Sequence, residues 1–189
     1  MERLKAARTQ RVKAARPVLG WVAALAVAAQ GAIHNLSRPL AERLPDLHIY
    51  TLAVTALVHG GSLYMLHQGE AARFTYPPFA GLAFFPIAYL PEPVTRVLWT
   101  LLTIAAVAVL CWVVTTRLPR RLGPREVVWP LVTALVLASK PVQSNLWFGQ
   151  ISVLLTLAVV ADVLAFSGRR GQGVLTGIAA AIKLTPLVF

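Results

Sequence analysis

The chain has 189 residues, 57% of them hydrophobic and only 13% charged, a balance that excludes an ordinary water-soluble domain. Its 18 Lys and Arg against 7 Asp and Glu give a formal net charge of +11, which raises nucleic acid as a partner. The distribution argues against that partner, because the cations flank apolar runs and no soluble domain is left to present them. The single cysteine, Cys111, lies inside an apolar run, so no internal disulfide and no Cys-cluster metal or redox site is expected.

In chain order, residues 1–16 form a basic cytoplasmic segment carrying Arg3, Lys5, Arg8, Arg11, Lys13 and Arg16. Residues 17–189 read as the membrane domain. Crossing the hydrocarbon takes about 20 apolar residues, and Val18 to Leu36 is the first run that suffices. It reads as an uncleaved signal anchor, although Ala26, Val27 and Ala28 also offer a small-residue cleavage pattern. Val97 to Thr116 is the second strong run. Val127 to Ala138, Ile151 to Phe166 and Val174 to Phe189 follow, each somewhat short, and Gly173 with Gly177 offers the small-residue spacing of closely packed spans. About five transmembrane helices are therefore expected. The sequence ends at Leu187, Val188 and Phe189 inside an apolar run and reads as the N-terminal part of a longer protein.

Between the first two strong runs lies Phe79 to Leu90, bounded by Pro77, Pro78, Pro91 and Pro93 and too short to cross. If it did cross, the Arg117 to Arg125 loop and the Arg169, Arg170 loop would face away from the basic N-terminus. If it does not, all three basic segments are cytoplasmic, as the positive-inside rule prefers. Residues 37–93 then form one large outer segment, and Lys140 to Gln150 is an outer loop. From Leu47 to His59 the polar residues His48, Thr51, Thr55 and His59 recur at three- and four-residue steps, which predicts an amphipathic helix lying on the membrane. Phe79 to Leu90 is expected to be a second such helix. Trp99, Trp112 and Trp129 read as interfacial belt residues.

Five motifs in order resemble glycosyltransferase family 87: Asp46-Leu47-His48-Ile49-Tyr50, Gly60 to Tyr64, Phe74-Thr75-Tyr76-Pro77-Pro78-Phe79, Trp147-Phe148-Gly149-Gln150-Ile151, and Ala181-Ile182-Lys183-Leu184-Thr185-Pro186. The resemblance runs from Asp46 to Phe189. It implies an all-α polytopic membrane protein of the GT-C fold, with two juxtamembrane helices in the first outer loop. It also implies a hexosyltransferase that moves a sugar, most readily mannose, from a polyprenyl-phosphate donor to an envelope glycolipid or glycan. A plasma-membrane location with an extracytoplasmic site follows from the same resemblance and the charge rule.

Such a transfer requires a base for the acceptor proton, a group to hold the departing phosphate, and a cleft that excludes water. Asp46, at the start of the outer helix, is the candidate base; the alternative is that it only caps that helix. A single base with direct displacement inverts the anomeric carbon, so a beta-linked donor gives the alpha product. Lys183, inside an apolar run where an ammonium is costly, is the candidate for the lipid phosphate, the alternative being a cation that snorkels to the interface. His48, Tyr50, Arg73, Tyr76, Asn145 and Gln150 are candidate substrate contacts. For Arg73 and Tyr76 the alternative is interfacial anchoring, and for Asn145 and Gln150 it is helix capping. His48 and His59 are too far apart for one metal ion and no Asp-x-Asp pair is present, so neither cofactor nor metal is expected. Asp162, near Arg169 and Arg170, is expected to form an ion pair that fixes topology. The competing reading, a transporter or flippase component for a lipid-linked substrate, predicts polar residues along several spans and an internal repeat.

Overall fold

The computed structural model describes residues 2–39, 42–64 and 73–188, and all regular elements among the described residues are helical. His67 and Glu70 of the outer segment lie outside them. Among the described residues two helices are long and apolar enough to cross a membrane: α1 (Glu2–Leu36), through its part from Arg16 to His34, and α4 (Glu92–Thr115). A third crossing is available if α5 (Arg125–Ala138) and α6 (Lys140–Phe148) count as one segment, bent by 65°. The bend has a local cause. Ser139 is extended, with φ −68° and ψ 144°, and Pro141 lacks the N–H that would continue the ladder while fitting the first turn of a new helix. The stretch expected as a plain outer loop is thus mostly helix.

The long elements pack as a bundle. α1 and α5 run in the same direction: Trp21 meets Trp129 edge-on with ring centroids 4.7 Å apart. A Cβ on Gly20 would lie 3.0 Å from the Pro130 side chain, and one on Gly31 would lie 3.3 Å from the Gln143 amide oxygen. α4 runs antiparallel to α5, tied by Arg125 donating to the Thr116 carbonyl at 2.9 Å and Trp129 Nε1 donating to the Ala108 carbonyl at 2.8 Å. α7 (Ser152–Ala165) runs parallel to α4, with the Arg117 guanidinium on the Leu164 carbonyl at their common end. Cations therefore gather where α4 ends and α5 begins. The core threonines Thr103 and Thr133 return their hydroxyls to the carbonyl one turn back, at 2.9 and 2.8 Å, so their burial leaves no donor stranded.

Several expectations are corrected. α2 (Pro45–Val58) does not lie on lipid with a bare apolar face; Leu47, Tyr50, Ala53 and Val54 are buried in a protein core with Phe74, Phe84, Trp99, Leu155 and Ile182. The polar stripe on α2 faces outward, but its apolar side is covered by other parts of the chain. Trp99 belongs to the same core at 7% exposure and is not a belt residue, whereas Trp112 is exposed. Phe79 to Leu90 is two pieces, α3 (Pro78–Phe84) and a 3-10 turn, Phe85–Tyr89, because Pro86 interrupts the α-helical ladder. The last run breaks early. α8 (Val174–Ile182) stops before Lys183, and a 3-10 turn, Thr185–Val188, follows. Among the described residues nothing lies within 4 Å of a Cβ placed on Gly173 or Gly177.

Asp162 has a different partner from the one expected. Its Oδ2 accepts from the Gly173 and Thr176 backbone N–H groups at 2.9 and 3.0 Å and from the Thr176 hydroxyl at 2.7 Å. It caps α8 across the α7–α8 turn, because the free N–H groups of a helix start are nearer than the flexible Arg169 and Arg170 side chains, which are exposed.

Candidate active site

The site is built where α2 starts. Leu44, the residue ahead of α2, is left-handed at φ 50°, the one positive-φ residue other than glycine among the described residues. Pro45 then enters the first turn, where a missing N–H costs nothing. Against this turn sits Gly149, itself at φ 70°, so close that a Cβ there would lie 2.9 Å from Leu47 Cβ and 3.0 Å from Leu44 Cβ. The corner between α6 and α7 therefore clamps the turn that carries Asp46.

Asp46 is half-buried in the first turn of α2, two residues after Leu44. One turn on, Tyr50 is 1% exposed, stacked on Phe84 with centroids 4.5 Å apart. Its hydroxyl meets the Tyr76 hydroxyl at 2.7 Å. Burial is the main reason both phenols hold their protons above the ordinary range. Their mutual bond raises Tyr50 further and lowers Tyr76, and the Asp46 charge raises both.

Lys183 reaches the same phenol from the other side. Its backbone is extended at φ −147°, ψ 125°, just past the end of α8. The ammonium lies 5.6 Å from the Tyr76 ring centroid, in cation–π range, and makes a long contact of 3.4 Å with the Ser152 hydroxyl at the start of α7. Beside it opens a cavity of about 350 Å³ lined along one face of α7 by Ser152, Leu155, Thr156, Val159 and Val160 and across from it by Lys183, Thr185 and Pro186. The ammonium beside Ser152, with Val159 and Val160 two turns further along α7, suits an amphiphile with an anionic head. Because the helix ends before it, Lys183 faces this cavity and is not stranded on a continuous span.

Of the expected site residues, the structure gathers Asp46, Tyr50, Tyr76 and Lys183 around one phenol pair. Tyr50 contributes from within the core and offers a substrate no free surface. Gln150 is half-buried at the clamp corner, one residue from Ile151. His48 points elsewhere: its Nδ1 lies 3.3 Å from Glu92 at the start of α4. Arg73 is exposed. Asn145 is 4% exposed inside α6, its side-chain oxygen without a partner among the described residues, while its backbone carbonyl accepts from Gly149 and Gln150 at 2.9 and 3.1 Å. Ser152 was not anticipated. Its signal was the pair Ser152 and Thr156, four residues apart on an otherwise apolar helix.

Apolar helices of spanning length and a cation-bearing cavity with an aliphatic wall define a helical membrane protein with a site suited to an amphiphile. Comparison with known proteins gives the family: residues 74–189 match glycosyltransferase family 87, and the chain belongs to it. Tyr76, Ser152 and Lys183 fall inside the matched stretch, and Asp46 precedes it. A polyprenol-phosphate-mannose-dependent alpha-(1-2)-phosphatidylinositol mannoside mannosyltransferase of Mycolicibacterium smegmatis is 33% identical over 161 residues, 76% of this chain and 37% of the relative. A polyprenol-phosphate-mannose-dependent alpha-(1-2)-phosphatidylinositol pentamannoside mannosyltransferase of the same organism is 38% identical over 150 residues, covering 76% and 35% respectively. Its namesake in Mycobacterium tuberculosis is 33% identical over 157 residues, covering 76% and 34%. The chain thus spans little more than a third of the length of these curated relatives. No solved structure matches it.

Proposed function

We propose that the protein is a polytopic plasma-membrane mannosyltransferase that takes mannose from a polyprenyl-phosphate donor and transfers it to an envelope glycolipid. The relatives named for that donor and for phosphatidylinositol mannoside acceptors supply the substrate classes. The observation that carries the reading is the Lys183 ammonium, which lines the cavity of about 350 Å³ and lies 5.6 Å from the ring of Tyr76, itself bonded to the Tyr50 hydroxyl one turn beyond Asp46.

In the reaction, the Asp46 carboxylate takes the proton of the acceptor hydroxyl. The acceptor oxygen forms a bond to the anomeric carbon as the bond from that carbon to the phosphate oxygen breaks. The electron pair leaves on the polyprenyl phosphate, whose added charge the Lys183 ammonium offsets. Direct displacement inverts a beta-linked donor to an alpha product. The phenol pair stays neutral, donating hydrogen bonds without adding a competing negative charge beside Asp46. Tyr76 and, at the neighbouring corner, Gln150 are assigned to the sugar and acceptor; His48, turned to Glu92, and the buried Asn145 are not.

About five crossings are assigned, by α1, α4, the bent α5–α6 segment, α7 and the broken last run, with residues 1–16 cytoplasmic and residues 37–93 outside. Support comes from the cation-rich end shared by α4, α5 and α7, opposite the end that carries α2. Expression of the complete reading frame in membranes with labelled polyprenyl-phosphate mannose tests the chemistry. Loss of transfer on Asp46→Asn is expected, and transfer at the wild-type rate removes Asp46 from the base role. Reporters placed after Pro91 and after Arg121 should read outside and inside, and the reverse overturns the orientation.

A further inference from the structure

Hydroxyl side chains inside helices commonly donate to a carbonyl one turn back. Thr103, Thr133 and Thr156 all do so, Thr156 onto the Ser152 carbonyl at 2.8 Å. Ser152 is placed differently. The carbonyl four residues behind it belongs to Phe148, and between the two the chain turns through Gly149 at φ 70°, which breaks the helical ladder between α6 and α7. Among the described residues the Ser152 hydroxyl meets one polar partner, the Lys183 ammonium at 3.4 Å. An ammonium has three hydrogens and no lone pair, so the serine oxygen accepts and its own hydrogen is left for another acceptor. Ser152 and Lys183 line the same cavity of about 350 Å³, and no carboxylate among the described residues lines it with them. The hydrogen is therefore available to a ligand that brings its own acceptor.

We propose that Ser152 donates its hydroxyl to the phosphate of the polyprenyl donor, beside the Lys183 ammonium, and holds that phosphate as it departs. The assignment rests on the proposed sugar transfer. Two donors 3.4 Å apart can reach oxygens of one phosphate at charge-assisted lengths of about 2.5–2.9 Å. Accepting from the ammonium polarises the serine hydroxyl, which strengthens what it donates. The donor phosphate is a singly charged diester that leaves as a monoester of greater charge, so the serine bond gains strength as the bond to the anomeric carbon breaks. Thr156 lines the same cavity with its hydrogen already committed to the backbone, so it can only accept.

The test measures transfer from labelled polyprenyl-phosphate mannose by the complete polypeptide in membranes. Ser152→Ala should lower kcat roughly tenfold with a smaller change in donor KM, the loss of one hydrogen bond to a charged group that strengthens in the transition state. Ser152→Thr, which keeps the hydroxyl, should restore most of the rate. In a Lys183→Gln background the same Ser152→Ala change should cost less than about threefold, because both groups act on one phosphate. Product inhibition by polyprenyl phosphate should weaken roughly tenfold in Ser152→Ala, while inorganic phosphate at the same concentration should not inhibit the wild-type chain. Ser152→Cys, which replaces the hydroxyl by a weak donor at similar volume, carries the same expectation should the alanine variant not fold. The assignment is overturned by Ser152→Ala at the wild-type rate, by Ser152→Thr as impaired as Ser152→Ala, or by an undiminished loss in the Lys183→Gln background. Inhibition by inorganic phosphate equal to that by polyprenyl phosphate overturns the lipid-borne phosphate as the occupant. Absence of transfer by the wild-type chain removes the sugar-transfer reading and the Ser152 assignment with it, whereas wild-type transfer that Ser152→Ala leaves intact removes Ser152 alone.

Discussion

Replacing Gly149 with alanine tests the clamp on which the position of Asp46 depends. Two separate penalties follow from the geometry. The residue sits at φ 70°, where a Cβ costs about 1–2 kcal/mol. The added methyl would also lie 2.9 and 3.0 Å from the Cβ atoms of Leu47 and Leu44, which are fixed to the backbone and cannot rotate away. Forcing apart such a contact costs about 1–3 kcal/mol. The sum is about 2–5 kcal/mol, to be measured by equilibrium unfolding in mixed micelles with helicity as the readout. Gly168→Ala is the internal control. Gly168 has φ 72° and nothing within 4 Å of its would-be Cβ, so it carries the conformational penalty alone, about 1–2 kcal/mol. A Gly149→Ala chain no less stable than Gly168→Ala would refute the close contact and, with it, the account of how the α6–α7 corner positions Asp46.

Tyr50 and Tyr76 should resist ionisation. Folded-state values raised above the unfolded one mean that the neutral phenols contribute stability that is fully present below about pH 10 and is lost as pH rises past it. Ultraviolet titration of tyrosinate should therefore show no change near about pH 10 on Tyr50→Phe or Tyr76→Phe, and a lost absorbance step there would contradict the buried pair. Tyr50→Phe leaves the Tyr76 hydroxyl without this partner and should cost about 0.5–1.5 kcal/mol in the same unfolding assay. Lys183→Gln should lower transfer by roughly ten- to a hundredfold, with donor KM rising if the ammonium binds the ground-state phosphate; unchanged kinetics would remove Lys183 from the site. Asp162→Ala should lower the melting temperature more than Asp162→Asn, whose amide oxygen can still accept from Gly173 and Thr176, and equal losses would contradict the capping role.

Length and apolar composition made the long helices legible. α1 and α4 required only a count of apolar residues against bilayer thickness. Local period failed for α2. The His48, Thr51, Thr55 stripe marks a helix with two faces, but a period cannot tell whether lipid or the rings of Phe74, Phe84 and Trp99 cover the apolar one. Asp162 was paired with its neighbours in sequence, whereas its partners are backbone N–H groups that exist only once α8 has formed. Lys183 was recognised from its cost in lipid, yet its meeting with Tyr76, more than a hundred residues earlier in the chain, is a product of tertiary packing that no local pattern encodes. Proline punctuation at Pro86 and Pro141 was readable in principle; the run boundaries simply outweighed it.

The elbow at Ser139 has a bearing on biogenesis. Neither arm of that segment alone offers a translocon the length of greasy helix it recognises, and the mouldings that receive the two arms are the bare backbone patches at Gly20 and Gly31 of the first helix. Packing of the two arms thus draws on a helix made before them, which ties the order of synthesis, N-terminal helix first, to how this fold is reached.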